Sequence, residues 1–173
     1  MTFSPKLEER FQKMLQSYPE GRRRSAVVPM LIYAQDETGA VTPELIEEVA
    51  RRCEVAPLQV DEVVGYYSML HRKPQGRYHV QICTSISCML VGGVELYEHA
   101  KKKLGIGHKQ TTADGKFSLE EVECMGACSW APAVQVNYDF YHDVTVEQLD
   151  RLLDGLLAGK KPEEIADVKR VNP

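Results

Sequence analysis

The sequence predicts an α+β protein in two parts: a bundle of helices over residues 1–75 and a small α/β domain over 76–159, followed by a polar tail at 160–173. Apolar residues recur at helical spacing through the first part. The period changes to two after Lys73-Pro74-Gln75-Gly76, a proline–glycine segment of the kind that separates domains. In the second part four cysteines fall in two pairs, each just past a predicted strand.

In the first part, Ser4-Pro5 supplies an N-cap and a first helical residue. Behind it Leu7, Phe11, Met14, Leu15 and Tyr18 keep helical spacing until Pro19 and Gly21 end the helix. A second helix is expected to begin at Ser25, to bury Val28, Leu31 and Ile32, and to close near Gly39. Thr42-Pro43 opens a third, with Leu45, Ile46, Val49, Ala50 and Cys53 on its apolar face. A fourth, after Pro57, would use Leu58 or Val60, then Val63, Val64 and Tyr67. Cys53 stands four residues after Val49 and reads as a small buried hydrophobe.

In the second part, Tyr78, Val80 and Ile82 alternate with His79 and Gln81, the pattern of a half-buried strand. Met89–Leu104 is expected as one helix with Leu90, Val94, Tyr97, Ala100 and Leu104 on one face, closed by Gly105. Asp114-Gly115 is a turn before a second strand at Phe117–Glu123. Ala133–Asn137 and Phe140–His142 form a third and a fourth strand. Thr145-x-x-Gln148 is a capping box for a last helix that buries Val146, Leu149, Leu152, Leu153, Leu156 and Leu157. The order β-α-β-β-β-α is compatible with a thioredoxin-like sheet. From Lys160 the chain is expected to be a loose or partner-bound extension.

The composition, 43% hydrophobic and 27% charged in 173 residues, is that of an ordinary globular protein. The longest apolar stretch, Ala26–Ala34, is too short to span a bilayer, and no signal segment opens the chain; a cytosolic protein is expected, with any membrane association through a partner. The net charge is −4: residues 1–77 balance 11 basic against 11 acidic side chains, and residues 78–173 hold 10 against 14. The excess acid lies in the half that carries the four paired cysteines, which argues against nucleic-acid binding.

Cys83 and Cys88 follow the first strand as C-x4-C, and Cys124 and Cys128 follow the second as C-x3-C. If those strands are parallel neighbours, both loops leave the same end of the sheet and four thiolates converge. Such a set suits zinc or an iron–sulfur cluster. Structural zinc usually takes C-x2-C knuckles, and the wider loops fit a two-iron cluster better. A dithiol oxidoreductase would want C-x-x-C at a helix N-terminus. The spacing is not that of plant-type ferredoxins either. Gly126 frees the backbone to curl around a sulfide, and Thr84, Ser85, Ser87, Ala127 and Ser129 leave room.

The run "CTSISCML…ECMGACSWAPAVQVNYDFYHDVT", with the upstream "RRSAVVPMLIYAQDETGAVTPELIEEVA" and "VVGYYSM", resembles the E subunits of bacterial NADH:quinone oxidoreductase, the thioredoxin-like [2Fe-2S] subunits of respiratory complex I. The likeness runs from about residue 16 to residue 157 and includes all four cysteines, Gly126-Ala127-Cys128-x-x-Ala131-Pro132, and the Asn137, Tyr141 and Thr145 ending. Trp130 departs from the small or polar residues usual there, with consequences for cluster shielding or a partner contact.

The resemblance implies that Cys83, Cys88, Cys124 and Cys128 bind a [2Fe-2S] cluster, and the spacing suggests that each pair holds one iron. The resemblance also implies single-electron exchange with FMN on a partner flavoprotein, the F subunit, which takes hydride from NADH and on which the N-terminal helices pack. Other peripheral-arm subunits of the same complex would be further partners, and the chain would lie on the cytoplasmic side of the inner membrane through that complex. Pro132 resembles a position often cis in thioredoxin-like folds, although a trans proline at a strand start is equally allowed. Glu120, Glu121 and Glu123 would lower the cluster's potential, and loop N–H groups would raise it. Gly92-Gly93 and Gly105-Ile106-Gly107 are no nicotinamide fingerprint, so NADH dehydrogenase activity belongs to the complex, not to the isolated chain. His71, His79, His99, His108 and His142 are scattered and read as surface or structural residues. Two alternatives stay open: the same module in a soluble NAD-linked hydrogenase or formate dehydrogenase, and a non-redox binding module stapled by zinc.

Overall fold

Helix caps and an ion-paired arginine organise the first half of the chain. In a computed structural model, which describes residues 1–165 and 168–171, the chain divides into two units, Met1–Pro74 and Gln75–Pro173. The first contains α1 (Pro5–Gln16), α2 (Val27–Thr38), α3 (Pro43–Cys53) and α4 (Pro57–Tyr66). Ser4 and Thr42 cap α1 and α3 by accepting hydrogen bonds from the Leu7 and Leu45 amides, each 3.3 Å long. The core is built from Leu7, Phe11, Met30, Leu31, Ala34, Leu45, Val49, Ala50, Cys53 and Val60. Arg52 on α3 joins α1 to this core: it donates to both Glu8 carboxylate oxygens at 2.7 Å and to Glu48 at 2.6 Å, and lies 5.3 Å from the Phe3 and Phe11 ring centres. Cys53 is buried 3.5 Å from Met30 Sδ, and burial pushes its thiol up to about 11, far from a reactive thiolate.

Some expectations for this unit need correction. Ser25 does not cap α2; it lies inside a 3-10 turn, Arg23–Ala26, that leads into the helix without a side-chain cap. The buried face is Val27, Met30, Leu31 and Ala34, so Val28 and Ile32 are only partly covered. In α4, Val60 and Val64 are buried while Leu58 is exposed.

The second unit is a six-stranded sheet with helices against one face. Its elements are β1 (Tyr78–Cys83), α5 (Ile86–Met89), α6 (Gly93–Leu104), β2 (Gln110–Thr111), β3 (Phe117–Val122), β4 (Val134–Val136), β5 (Asp139–His142), α7 (Val146–Leu157) and β6 (Lys169–Val171). The strand order is β2-β3-β1-β4-β5-β6. β1 runs parallel to β3, and the other neighbours are antiparallel. Val80, Ile82, Leu119, Val134, Val136 and Tyr141 pack with Leu96, Tyr97 and Ala100 of α6 and with Leu149, Leu152, Leu153 and Leu156 of α7. The capping box of α7 is formed: Gln148 N donates to Thr145 Oγ1 at 3.3 Å, and Thr145 N donates to Gln148 Oε1 at 2.9 Å. Among the described residues, no helix is long and apolar enough to cross a membrane.

The helix expected over Met89–Leu104 is broken, because Gly92 takes the left-handed conformation (φ 99°) between α5 and α6. That turn re-aims the apolar face, so Gly93, Leu96, Tyr97 and Ala100 are buried while Leu90 and Val94 face outward. In α7 Leu157 is exposed and Val146 only partly covered. The segment from Lys160 is no loose extension. Ile165 packs on Gly155 of α7, where an added Cβ would lie 2.8 Å from the isoleucine side chain, and β6 pairs with β5. The residues at 166–167 and 172–173 of the expected tail lie outside the described residues.

The sheet face opposite the helices carries a buried polar network. Glu120 Oε2 accepts from His79 Nε2 at 3.1 Å and from Gln81 Nε2 at 2.9 Å, and Oε1 lies 3.6 Å from Lys109 Nζ. Ser118 Oγ accepts from Gly76 N at 3.1 Å and pairs with His79 Nδ1 at 2.9 Å. Burial alone would raise the Glu120 carboxyl, but these hydrogen bonds and nearby Lys109 hold it at about 2. A carboxylate lowered from its ordinary 4.5 stabilises the fold above that pH, and the contribution disappears as pH falls towards 2. Glu120→Gln should therefore cost about 2–3 kcal/mol at pH 7. The gap from the parent should narrow as pH drops below 4.5, as read by denaturant unfolding at a series of pH values. A gap independent of pH would contradict the charged network.

Candidate metal centre

Because β1 and β3 are parallel, with Cys83 opposite Val122, the two cysteine loops leave the same end of the sheet. Thr84 N donates to Val122 O at 3.0 Å, which carries the pairing one residue past β1. β4 begins at the same end, where Ala133 O accepts from Cys83 N at 3.1 Å. Cys88 is on α5, and the chain is turned back there by Gly92-Gly93. Gly93 packs so closely that an added Cβ would lie 2.6 Å from Cys83 O and 2.9 Å from the Cys88 backbone. Cys83 and Cys88 are both buried, beside Ala133 and the partly covered Met125, Ala127 and Ala131. Burial first, and the neighbouring Cys83 and Cys128 sulfurs next, push the Cys88 thiol up; a hydrogen bond from the Ala133 backbone works the other way.

Cys124 and Cys128 are exposed, with their sulfurs 3.6 Å apart. Gly126, at φ 79°, closes the loop between them, and its N–H donates to Cys124 Sγ at 3.3 Å. Cys128 opens a 3-10 turn, Cys128–Trp130, followed by a cis Ala131–Pro132 peptide at the position where the sequence allows both isomers. The turn is fastened to the sheet: Asp143 N donates to Trp130 O at 3.0 Å, and the Trp130 ring stacks on His142 with centroids 4.8 Å apart.

This donor set suits a binuclear group. It offers four sulfurs in two pairs, buried Cys83 and Cys88 and exposed Cys124 and Cys128. A two-iron cluster takes two sulfurs at each iron, and a loop N–H already points at one of them. The glutamates differ from one another. Glu120 is buried, bonded to His79 and Gln81 and near Lys109, whereas Glu121 and Glu123 are exposed.

The family model for thioredoxin-like [2Fe-2S] ferredoxins matches residues 11–157. The chain belongs to that family. Its cofactor is a [2Fe-2S] cluster. The chain is 45% identical over 160 residues to NADH-quinone oxidoreductase subunit 2 of Thermus thermophilus, covering 92% of this chain and 86% of the relative. It is 42% identical over 154 residues to the E subunit of the Rickettsia felis NADH-quinone oxidoreductase, covering 88% and 92%. Among solved structures, an NAD+-reducing [NiFe]-hydrogenase in its H2-reduced state shares the fold, with a TM-score of 0.69 at 18% identity. The match covers 80% of this chain and 23% of the hydrogenase chain.

Several contributors to the site carry no readable motif. Gly93 looks like an isolated glycine, and His142 like a scattered histidine. The doublet Gly92-Gly93 inside an otherwise helical pattern is the signal that could have located the first. Gly93→Ala should destabilise the second unit by about 1–3 kcal/mol, since the colliding atoms are backbone. Gly65→Ala, in α4 with open space around it, should instead stabilise by about 0.5–1 kcal/mol. Denaturant unfolding of both variants checks the pair, and a harmless Gly93→Ala would contradict the packing described.

Proposed function

We propose that this chain is the electron-transfer subunit of an NADH:quinone oxidoreductase, with Cys83 and Cys88 holding one iron of its cluster and Cys124 and Cys128 the other. The observation that carries the ligand assignment is the parallel β1–β3 pair, which delivers both cysteine loops to one end of the sheet. The near full-length likeness to subunits of that name supports the choice of complex. When bound, the cluster supplies one-electron redox chemistry.

The residues of the chain set the conditions for that chemistry. Cys83 and Cys88 are buried, which limits the access of water to their sulfurs. The Gly126 N–H directed at Cys124 Sγ favours added negative charge, while exposed Glu121 and Glu123 oppose it. NADH is oxidised on the FMN of a partner flavoprotein, the F subunit, against which the N-terminal helices pack. This chain stores and passes single electrons on the cytoplasmic side of the membrane as part of the complex. The fold shared with an NAD+-reducing hydrogenase favours, as a second reading, the same role in a soluble NAD-linked hydrogenase or formate dehydrogenase.

The test is anaerobic. NADH should bleach the visible absorbance of the cluster-loaded chain only when the flavoprotein is added, and the complex purified from its source should contain quinone-reductase subunits. Co-purifying hydrogenase or formate dehydrogenase subunits would move the assignment to the second reading. Failure of the reduced flavoprotein to bleach the cluster would overturn both. For the ligands, Cys124→Ser should weaken or shift the absorption spectrum, while Cys53→Ser should leave it unchanged. Loss of the spectrum in the Cys53 variant would refute the assignment.

A further inference from the structure

The four paired cysteines differ in access. Cys83 and Cys88 are each 2% exposed. Cys83 ends β1, where its N–H donates to Ala133 O at 3.1 Å, and Cys88 belongs to α5, against which Gly93 packs closely. Cys124 and Cys128 are exposed, Cys124 between β3 and the 3-10 turn and Cys128 as the first residue of that turn. The loop that joins them has open space around it. An added Cβ at Gly126 would meet no atom within 4 Å, whereas one at Gly93 would strike backbone at 2.6 Å. The exposed sulfurs lie 3.6 Å apart, and the Gly126 N–H donates to one of them. Two sulfurs about 2.3 Å from one tetrahedral metal stand about 3.8 Å apart, so this pair is already spaced to grip a single iron.

We propose that Cys124 and Cys128 are the entry pair for the cluster: they take the first iron from a [2Fe-2S] complex held by outside thiolates, and buried Cys83 and Cys88 then complete the site. The inference rests on the four-cysteine ligand assignment above and adds the order in which the ligands engage and the chemical class of the donor. The reaction is ligand exchange. In each step a cysteine sulfur forms a bond to iron, one donor thiolate leaves that iron, and the cysteine's proton goes to the departing thiolate. Four such steps move the cluster intact, and no iron changes oxidation state. An exposed thiol meets an incoming complex directly, whereas a buried one engages only when the structure around it opens. Met125 and Ala127 of the exposed loop pack with Cys83 and Cys88, so a cluster gripped by that loop is already beside the second pair.

The experiment follows anaerobic loading of the cluster-free chain from a [2Fe-2S] complex of glutathione, by visible circular dichroism and native mass spectrometry. The double variant Cys83→Ala/Cys88→Ala should capture the complex as fast as the parent and stall with two glutathiones still bound. The variant Cys124→Ala/Cys128→Ala should capture it roughly tenfold more slowly or worse and accumulate no such species. Denaturant unfolding checks that each variant folds. If the buried pair does not tolerate replacement, single variants decide: Cys128→Ala should slow the first phase of loading and Cys88→Ala only the second. Capture by the variant that keeps only Cys83 and Cys88 at a rate equal to or above that of its counterpart would overturn the order. Uptake by the parent from ferrous iron and sulfide but not from the complex would overturn the donor class. Failure of the parent by both routes would count against the four-cysteine assignment itself.

Discussion

The parallel pairing of β1 with β3 is the constraint on which the rest of the site depends. Six residue pairs, from Tyr78 with Phe117 to Cys83 with Val122, set two strands in one direction. Had they been antiparallel, the two cysteine loops would emerge at opposite ends of strands about 20 Å long. A parallel pair also needs a crossover, and that connection contains α5 and α6. Cys88 is therefore part of the connection that makes the pairing possible. β4, antiparallel to β1, begins at the same end and brings Ala133 against Cys83.

The site is asymmetric in its exposure to water. The first pair of cysteines is buried and the second is open, and the backbone treats them differently. Around Cys83 and Cys88 it approaches so closely that only a glycine fits at position 93. Around Cys124 and Cys128 it loops loosely through Gly126 and is tied down afterwards by Trp130 on His142. Behind the sheet, the His79, Gln81, Ser118 and Glu120 network satisfies the polar groups of the face turned away from the helices. One end of the layer can therefore carry ionisable sulfur chemistry while the sheet behind it keeps its own charge balanced.

Much of this was legible in the sequence for identifiable reasons. The period of two at Tyr78–Ile82, the caps at Ser4, Thr42 and Thr145, and the cysteines just past two strands are local signals, and local physics governs them. Features that were not legible depend on tertiary contacts. The break at Gly92 is hidden because Leu90, Val94 and Tyr97 continue a helical period across it. β2 is two residues long and exists through its pairing with β3. The chain after Lys160 looks like a polar tail, and only the space left by Gly155 shows why Ile165 folds back. Glu120, next to two exposed glutamates in sequence, differs from Glu121 because strand alternation turns it towards His79 and Gln81.

Four cysteines at one end of the sheet enclosing a single binuclear cluster would leave a stoichiometric signature. Iron and acid-labile sulfide content of anaerobically purified protein, with EPR before and after dithionite, reads it. About two irons and two sulfides per chain, silent when oxidised and S = 1/2 when reduced, is the predicted result. Stoichiometric zinc without that signal, in protein kept from oxygen throughout, would contradict it and leave a sheet stapled by a redox-inert ion.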